Sequence, residues 1–267
     1  MPTLALSDVT LHYEIDGSGP PLMLIAGTAS DSASWGPLVA PLAEHFTVIR
    51  PDNRSTGRTT PQDAPLSLEH WADDALALAA HLDLGPVAVV GHSLGGMIAL
   101  RMAATAPETV ARLGLLASAP VSAGRNVALF DLMLRLRAEG QAPDLWLRAF
   151  LPWLFHPRFF DVPGQLDAAI AQSLAYPHAQ SPAAMAAQVA ALHKTDASEL
   201  PALVRCPTLS VLAGSDLLIP EAAARAALAP IADLTIATIP EAGHSIHWDA
   251  PAATLAALLP FLTETAQ

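Results

Sequence analysis

A five-residue segment, Gly91-His92-Ser93-Leu94-Gly95, constrains the fold of this chain more than any other feature. It follows an apolar run at residues 87–90, which predicts a buried strand, and it leads into a helix predicted over residues 93–106. A G-x-S-x-G pattern between a strand and a helix is typical of a sharp turn that presents a nucleophilic serine at the edge of a sheet. Larger side chains at the two glycine positions would collide with neighbouring backbone in so tight a turn. We therefore predict a parallel sheet whose carboxyl edge carries Ser93.

The rest of the chain alternates in hydrophobic period, as an α/β protein does. Residues 21–26 are a continuous apolar run, and residues 67–82 carry apolar side chains at helical spacing behind Ser67, which can cap the helix. Strands that alternate with helices predict a parallel sheet with helices on both faces. The predicted strands are 11–15, 21–26, 46–49, 87–90, 113–116, 208–212 and 234–239, and the predicted core helices are 35–44, 67–82, 93–106, 220–228 and 251–262.

The alternation stops at Pro120 and resumes at Thr208. Residues 120–200 contain no convincing strand, and prolines divide them into short predicted helices. We predict a helical cap over residues 120–200, inserted into a core of residues 1–119 and 201–267 and placed over the sheet edge where ligands bind. The aromatic residues of this cap either form its own core or line an apolar pocket. They are Trp146, Phe150, Trp153, Phe155, Phe159 and Phe160.

The charge balance excludes several classes of partner. The 267 residues include 13 Lys and Arg against 25 Asp and Glu, so the formal net charge is −12. A chain this acidic lacks the basic surface that nucleic acids and anionic membranes require. We therefore expect a small-molecule substrate, no nucleic acid, no membrane, and a monomer or a small homo-oligomer.

The sequence also lacks signals for disulfides, membrane spans, metals and nucleotide cofactors. Cys206 is the single cysteine, which excludes an intrachain disulfide and a CxxC motif. Residues 1–19 do not have the pattern of a signal peptide, and no apolar run approaches the roughly 20 residues that cross a bilayer. His, Asp and Glu do not cluster at metal-ligand spacing, and residues 91–96 form neither a dinucleotide-binding motif nor a P-loop. We expect a cytoplasmic protein without metal or cofactor.

A serine nucleophile needs a base, and the base needs an orienting acid, in the chain order serine, acid, histidine for this type of turn. Two histidines lie beyond the last predicted core strand. His244 directly follows that strand and is the predicted base, whereas His247 is predicted to be a packing or helix-side residue. Asp216 follows the preceding strand, whereas Asp233 starts a strand at the opposite edge of the sheet. The predicted catalytic residues are Ser93, Asp216 and His244.

Three further segments are similar to loops of one enzyme superfamily. Ala26-Gly27-Thr28, followed by Trp35, resembles a His-Gly-x loop with a tryptophan eight residues after the glycine. Residues 52–58 resemble an Asp-x-Arg-Gly-x-Gly loop, and residues 243–251 resemble a Gly-His-x4-Glu-x-Pro ending. With the serine turn, these segments make the chain resemble the α/β-hydrolase superfamily, close to its small single-cap esterases, lactonases and haloperoxidase-like members.

The resemblance implies a mostly parallel, twisted sheet with helices on both faces and a helical cap inserted after the sixth strand. It also implies an oxyanion hole made by the backbone N–H groups of Thr28 and Leu94. Two residues depart from the pattern. Ala26 replaces a structural histidine, so the packing of its loop is expected to differ, and Ser55 replaces a glycine that often takes positive φ, so an altered turn is expected.

The predicted activity is hydrolysis of a carboxylic ester or lactone through an acyl-enzyme. C–C bond hydrolysis, perhydrolysis of the haloperoxidase type and lyase or synthase chemistry use the same triad and stay open, as does a ligand-binding member without turnover. Dehalogenases and epoxide hydrolases need an aspartate nucleophile, which Ser93 argues against. An apolar cap favours small to medium uncharged substrates, unless an arginine of the cap turns inward to hold a carboxylate. The candidates are Arg125, Arg135, Arg137, Arg148 and Arg158.

Overall fold

The computed structural model describes residues 2–138 and 141–264. These residues form an eight-stranded sheet flanked by helices. The strands are β1 (Thr3–Ala5), β2 (Thr10–Asp16), β3 (Pro21–Ile25), β4 (Thr47–Pro51), β5 (Val87–His92), β6 (Val110–Leu116), β7 (Thr208–Ala213) and β8 (Leu234–Ile239). The helices are α1 (Gly36–Ala43), α2 (Leu68–His81), α3 (Leu94–Thr105), α4 (Gly124–Arg137), α5 (Leu145–Leu154), α6 (Gln165–Ala175), α7 (Pro182–Lys194), α8 (Glu221–Leu228), α9 (Ile246–Asp249) and α10 (Pro251–Thr263).

The strand order is β1-β2-β4-β3-β5-β6-β7-β8, with antiparallel pairing only where β2 meets β1 and β4. This is the mostly parallel sheet of the α/β-hydrolase fold, as predicted. From β3 the chain moves to β4 on one side and then to β5 on the other. In open α/β sheets, ligands bind outside the carboxyl ends of strands at such a reversal of strand order. The candidate site is therefore expected where β3 and β5 end.

The apolar run of β3 is explained by burial on both faces of the sheet. Met23 and Ile25 belong to a cluster with α2 and α3, whereas Leu22 and Leu24 belong to a cluster with α1 and α10 on the opposite face. Each fully buried side chain of this size contributes about 1.5–3 kcal/mol. Burial of β3 on both sides thus fixes the central strand, and the loops after β3 and β5 are held in place by it.

The prediction of secondary structure is confirmed for every predicted core strand and helix, with differences at their ends. Strand β1 was not predicted because three residues are too short to show an alternating pattern. It pairs with β2 at the sheet edge, where Leu4 faces Leu11. None of the helices in the described residues is long and apolar enough to cross a lipid bilayer.

Between β6 and β7, the described residues form helices α4 to α7 and no strand. Phe130, Phe150, Met185 and Val189 pack with one another and with Leu218, which follows β7. Phe150 therefore lies in the core of this helical segment, and Phe155 and Phe159 stack on each other at 4.3 Å between ring centroids. The helical segment contacts the rest of the protein next to the carboxyl end of β7.

Candidate active site

Ser93 occupies the sharp turn between β5 and α3. Its backbone angles, φ 54° and ψ −120°, lie in a region that non-glycine residues rarely adopt. A Cβ on Gly91 would lie 2.1 Å from the carbonyl oxygen of Gly95, and a Cβ on Gly95 would lie 2.0 Å from that of Ile25. Only glycine fits at these two positions, which is the steric requirement predicted for a serine elbow. The turn leaves Ser93 half-buried at the carboxyl edge of the sheet.

Asp216 and His244 meet at the same edge. Asp216 lies three residues beyond β7, and its Oδ2 accepts a 2.8 Å hydrogen bond from Nδ1 of His244. Oδ1 accepts from the backbone N–H groups of Leu218 and Ile219, at 2.8 and 2.9 Å. A carboxylate can only accept, so Nδ1 carries the hydrogen and Nε2 of His244 is left with a free lone pair, as a general base requires. Both side chains are buried.

The strand register brings the loop after β3 beside Ser93. Ile25 pairs with Gly91, so Gly27 and Ser93 lie at equivalent positions beyond their strands. A Cβ built on Gly27 would be only 3.2 Å from Cβ of Ser93. Thr28 follows Gly27 in this loop, and Leu94 opens α3, where backbone N–H groups have no partner within the helix. Leu94 is therefore the chain neighbour of Ser93, and Thr28 follows the glycine that lies next to Ser93 across the two strands.

Within residues 2–138 and 141–264, the Ser93 hydroxyl has no hydrogen-bond partner. In substrate-free enzymes, the hydrogen bond between a serine nucleophile and its base is often long. The backbone of Ser93 is well held, because its carbonyl accepts a 2.6 Å hydrogen bond from the hydroxyl of Ser118, which follows β6. The same hydroxyl lies 2.3 Å from the position of a Cβ on Gly96. Ser118 therefore fixes the turn from the neighbouring strand.

Two further histidines pack beneath His244. The ring of His92 lies 5.0 Å from that of His244 and 4.5 Å from that of His247, and Nε2 of His92 donates a 2.9 Å hydrogen bond to the His244 carbonyl. Burial lowers the pKa of His92 well below its ordinary value and lowers the pKa of His247 to about 3, so both are neutral near pH 7. His247 packs on Trp35, at 5.2 Å between ring centroids. It is a packing residue, as predicted.

The helical segment hydrogen-bonds three of the loops that carry candidate residues. Asn126 donates from Nδ2 to the Leu218 carbonyl at 2.8 Å, next to Asp216. The Ser245 N–H donates to the Leu154 carbonyl at 2.8 Å, and Gln188 accepts from the Ala29 N–H at 2.8 Å. The loops after β3, β7 and β8 are thus held by the segment that covers the same edge of the sheet.

Asp249 joins the loop of His244 to the helical segment. Its Oδ2 accepts from the backbone N–H of Gly243 and from that of His156, each at 2.7 Å. A Cβ on Gly243 would lie 2.7 Å from the His156 nitrogen, so the two chain segments are in direct contact. Asp249, which stands where the resemblance has Glu, therefore positions the histidine loop.

The arginines of the helical segment are engaged in contacts with other protein groups or are exposed. Arg125 donates to the Leu217 carbonyl and Arg137 donates to the Gln180 carbonyl. Arg148 pairs with Asp144 and Asp167, and Arg158 pairs with Glu241. Arg135 lies on the exposed face of α4. Each of these five arginines therefore has a protein partner or lies on an exposed face.

The structure accommodates both departures from the family pattern. Ser55 adopts φ 71°, so the turn keeps the left-handed conformation and the expected alteration does not occur. The Ser55 carbonyl accepts a 3.0 Å hydrogen bond from Nε2 of Gln180. Ala26 is fully buried, and its carbonyl accepts a 2.9 Å hydrogen bond from Nδ2 of Asn53. The loop after β3 is therefore held by Asn53 without a histidine at position 26.

The residues that the sequence did not indicate are those that hold the site from a distance. Ser118, His92 and Gln188 contact it across neighbouring strands or from α7. Ser118 and Gln188 belong to no local pattern, and His92 occupies a variable position of the serine motif, which does not predict its contact with His244. Asp233 lies at the start of β8, where its carbonyl accepts from the Thr208 N–H, far from the carboxyl edge, as predicted. The described residues contain no cluster of three or more His, Cys, Asp or Glu that could hold a metal ion.

Comparison with known proteins gives consistent results. A model of the alpha/beta hydrolase family matches residues 22–258. A protein of Azorhizobium caulinodans with the provisional name carbamate hydrolase RutD is 30% identical over 270 residues and covers 100% of both chains. A thermophilic esterase from Thermogutta terrifontis is 25% identical with a TM-score of 0.82, covering 95% of this chain and 93% of its own. An enol-lactonase from Burkholderia xenovorans is 24% identical with a TM-score of 0.86, covering 98% and 100%, and shows the likeness of fold.

Proposed function

The chain belongs to the alpha/beta hydrolase family, and from this premise we propose that it is a serine hydrolase of carboxylic esters or lactones. The observation that carries the proposal is the buried 2.8 Å contact between Asp216 and His244, at the sheet edge that also bears Ser93. An oriented histidine at the same sheet edge as a serine in a strained turn fits the arrangement that activates a hydroxyl nucleophile. The esterase of Thermogutta terrifontis has the same fold and supports the choice of an ester.

In the proposed reaction, Oγ of Ser93 attacks the carbonyl carbon while Nε2 of His244 takes the hydroxyl proton. The carbonyl electrons move to the oxygen, which accepts hydrogen bonds from the N–H groups of Thr28 and Leu94. Collapse of this intermediate breaks the C–O bond, and His244 returns the proton to the leaving alkoxide. Each preset oxyanion donor contributes about 3–4 kcal/mol to the transition state. Asp216 holds the imidazole in the required tautomer and stabilises its cation.

The second half of the reaction releases the acid. His244 takes a proton from water, whose oxygen attacks the acyl carbon, and the second oxyanion uses the same two N–H groups. The C–O bond to Ser93 then breaks, and the serine oxygen recovers the proton from His244. With a lactone, the alcohol stays attached to the acyl group, and water adds once to open the ring.

We propose that residues 120–200 act as a cap that selects the substrate. The segment is rich in aromatic residues, and its arginines are paired or exposed. Hydrophobic burial then supplies most of the binding energy, at about 25 cal/mol per Å² of apolar surface. Small to medium, uncharged and largely apolar substrates fit these properties.

A carbamate or amide is the second candidate substrate class, because the relative from Azorhizobium caulinodans is named for carbamate hydrolysis. The same triad would cleave a C–N bond if His244 protonates the leaving nitrogen. A matched pair of butyryl compounds, the p-nitrophenyl ester and the p-nitroanilide, distinguishes the two. The ester proposal predicts the larger kcat/KM for the ester after each rate is divided by its uncatalysed rate, and the reverse order favours amide hydrolysis.

Labelling with a fluorophosphonate tests the nucleophile. The proposal predicts one covalent adduct per chain, located at Ser93 by peptide mass spectrometry, and loss of p-nitrophenyl butyrate hydrolysis in proportion to labelling. Ser93→Ala should abolish both, with a loss of activity of about 10⁴-fold or more. Ser173→Ala, an exposed serine of α6, is the matched control. A folded Ser93→Ala variant that is still labelled or active would contradict the mechanism. A wild-type protein that is neither labelled nor active would favour a ligand-binding member of the fold.

A further inference from the structure

We propose that Gln188, on helix α7, is a positioning residue for the oxyanion hole, and that the helical segment thereby controls the activity of Ser93. This inference rests on the proposed function, because it assigns a role in the same reaction. The residues concerned are the oxyanion loop, defined as residues 27–31, and the side chains that reach it from residues 176–188.

The oxyanion loop contains a turn under backbone strain. The Ser30 N–H donates to the Gly27 carbonyl at 3.3 Å, which closes a turn with Thr28 and Ala29 at its centre. Ala29 has φ 56°, and a positive φ at this position is the mark of a type II turn, which normally needs glycine. An alanine in this conformation costs about 1–2 kcal/mol. A flip of the Thr28–Ala29 peptide to a type I turn would remove the strain.

Gln188 stabilises the strained form of this turn. Its Oε1 accepts a 2.8 Å hydrogen bond from the Ala29 N–H, although 159 residues separate the two along the chain. A flipped peptide would direct the Thr28 carbonyl toward this acceptor and lose the bond. The proposed oxyanion donor, the Thr28 N–H, belongs to the preceding peptide of the same turn, so Gln188 acts on it through the conformation of the turn.

The orientation of the Gln188 amide is fixed by its neighbours. A backbone N–H can only donate, so the oxygen of Gln188 must face Ala29. Nε2 of Gln180 donates to the Ser55 carbonyl at 3.0 Å and to Oε1 of Gln188 at 3.3 Å, which fixes the Gln180 amide as well. The two glutamines thus connect the oxyanion loop to the turn at Ser55.

Packing alone does not explain a glutamine at this position. Gln188 is fully buried, and neither its Nε2 nor Oε1 of Gln180 has a hydrogen-bond partner in residues 2–138 and 141–264. Burying polar atoms without hydrogen-bond partners is unfavourable, and a methionine or leucine would fill the same space without them. The glutamine adds a hydrogen-bond acceptor for the Ala29 N–H. The loop has no polar side chain at position 26, where the resemblance has a histidine and this chain has Ala26.

A second contact ties the same loop to the helical segment. The hydroxyl of Tyr176 donates to Oδ2 of Asp31 at 2.7 Å, and Oδ1 of Asp31 accepts from the Ala33 N–H at 2.9 Å. The oxyanion loop is therefore held at its centre by Gln188 and at its end by Tyr176. A movement of the helical segment would change the turn that carries Thr28.

The test compares Gln188→Met with Gln172→Met, the same change at an exposed position of α6. The readouts are hydrolysis of p-nitrophenyl butyrate and inhibition by trifluoromethyl propyl ketone, to which Ser93 adds to form a hemiketal oxyanion. Complete loss of an oxyanion donor costs about 10²–10³ in kcat. We expect Gln188→Met to lower kcat about 10- to 100-fold with KM within about threefold. The inhibition constant of the ketone should rise in parallel with the loss of kcat/KM, and Gln172→Met should change neither.

The substitution Ala29→Gly in the Gln188→Met background separates positioning from packing. Glycine adopts positive φ without strain, so the turn should regain its form without the Gln188 acceptor, and kcat should recover at least about threefold. If Gln188→Met does not fold, Gln188→Leu supplies the same comparison. Unchanged kcat and ketone binding, or a loss that Ala29→Gly does not relieve, would overturn the proposal. Failure of the proposed function itself would be seen separately, because the Ser93→Ala variant would then still hydrolyse p-nitrophenyl butyrate and still be inhibited by the ketone.

Discussion

Nδ1 of His244 donates a 2.8 Å hydrogen bond to Oδ2 of Asp216, 28 residues earlier in the chain. The carboxylate is fixed in turn by the N–H groups of Leu218 and Ile219. The carboxylate is therefore held in one orientation, and the neutral imidazole is held in the tautomer that carries its hydrogen on Nδ1.

Replacing this acid should affect the chemical step far more than the fold. Asp216→Asn places an amide beside Nδ1 and favours the wrong tautomer, so we expect kcat to fall about 10³–10⁴-fold. Asp233→Asn, at the opposite edge of the sheet, should change kcat less than tenfold. Steady-state kinetics with p-nitrophenyl butyrate measures both. Equal losses in the two variants would show that Asp216 is not the orienting acid.

The glycine that follows Ser93 by two positions should tolerate no side chain. In Gly95→Ala the new Cβ would lie 2.0 Å from the Ile25 carbonyl oxygen, in the backbone of the central strand. We expect destabilisation by more than about 4 kcal/mol, or no soluble protein. Gly36→Ala, where no atom lies within 4 Å of the new Cβ, should change the free energy of unfolding by less than about 1 kcal/mol. Urea denaturation measures the free energy of unfolding of both variants. Comparable values would be evidence against close backbone packing at Gly95.

Acid should destabilise the protein through its buried histidines. Burial lowers the pKa of His247 to about 3 in the folded state, below the value of about 6.5 in the unfolded chain. The unfolded state therefore binds more protons between these values, so stability is full above pH 6.5 and is lost as pH falls. One such histidine contributes a loss of about 2 kcal/mol between pH 7 and pH 5. In His247→Phe, urea denaturation at the two pH values should show a correspondingly smaller difference, and an unchanged difference would contradict the assignment.

The substrate preference should follow apolar surface. Each added CH₂ in the acyl chain of a p-nitrophenyl ester should raise kcat/KM by up to about fourfold until the pocket is full, at about 0.8 kcal/mol per buried CH₂. An ω-carboxylate ester should be a poorer substrate than its neutral analogue. A preference of more than about tenfold for the carboxylate, lost when Arg125, Arg135, Arg137, Arg148 or Arg158 becomes alanine, would instead establish a charged pocket.

Local patterns were sufficient to predict the sheet and the serine turn. The apolar run of β3 and the glycines around Ser93 are dictated by burial on both faces and by backbone contacts, which leave their signature in adjacent residues. The positions of Asp216 and His244 followed from the rule that the carboxyl ends of parallel strands share one edge. Strand β1 escaped prediction because three residues carry too little periodicity.

Short-range periodicity and tightly spaced motifs were enough to predict the alternating elements, the family of folds and the residue types of the candidate triad. The side chains that hold that site were not predictable, because they come from distant parts of the chain. Gln188 meets Ala29 across 159 residues, and His92 meets the carbonyl of His244 across 152. Both contacts join segments that are far apart in the chain and that meet only when the sheet and its helices are packed together, and no local pattern of residues encodes that packing.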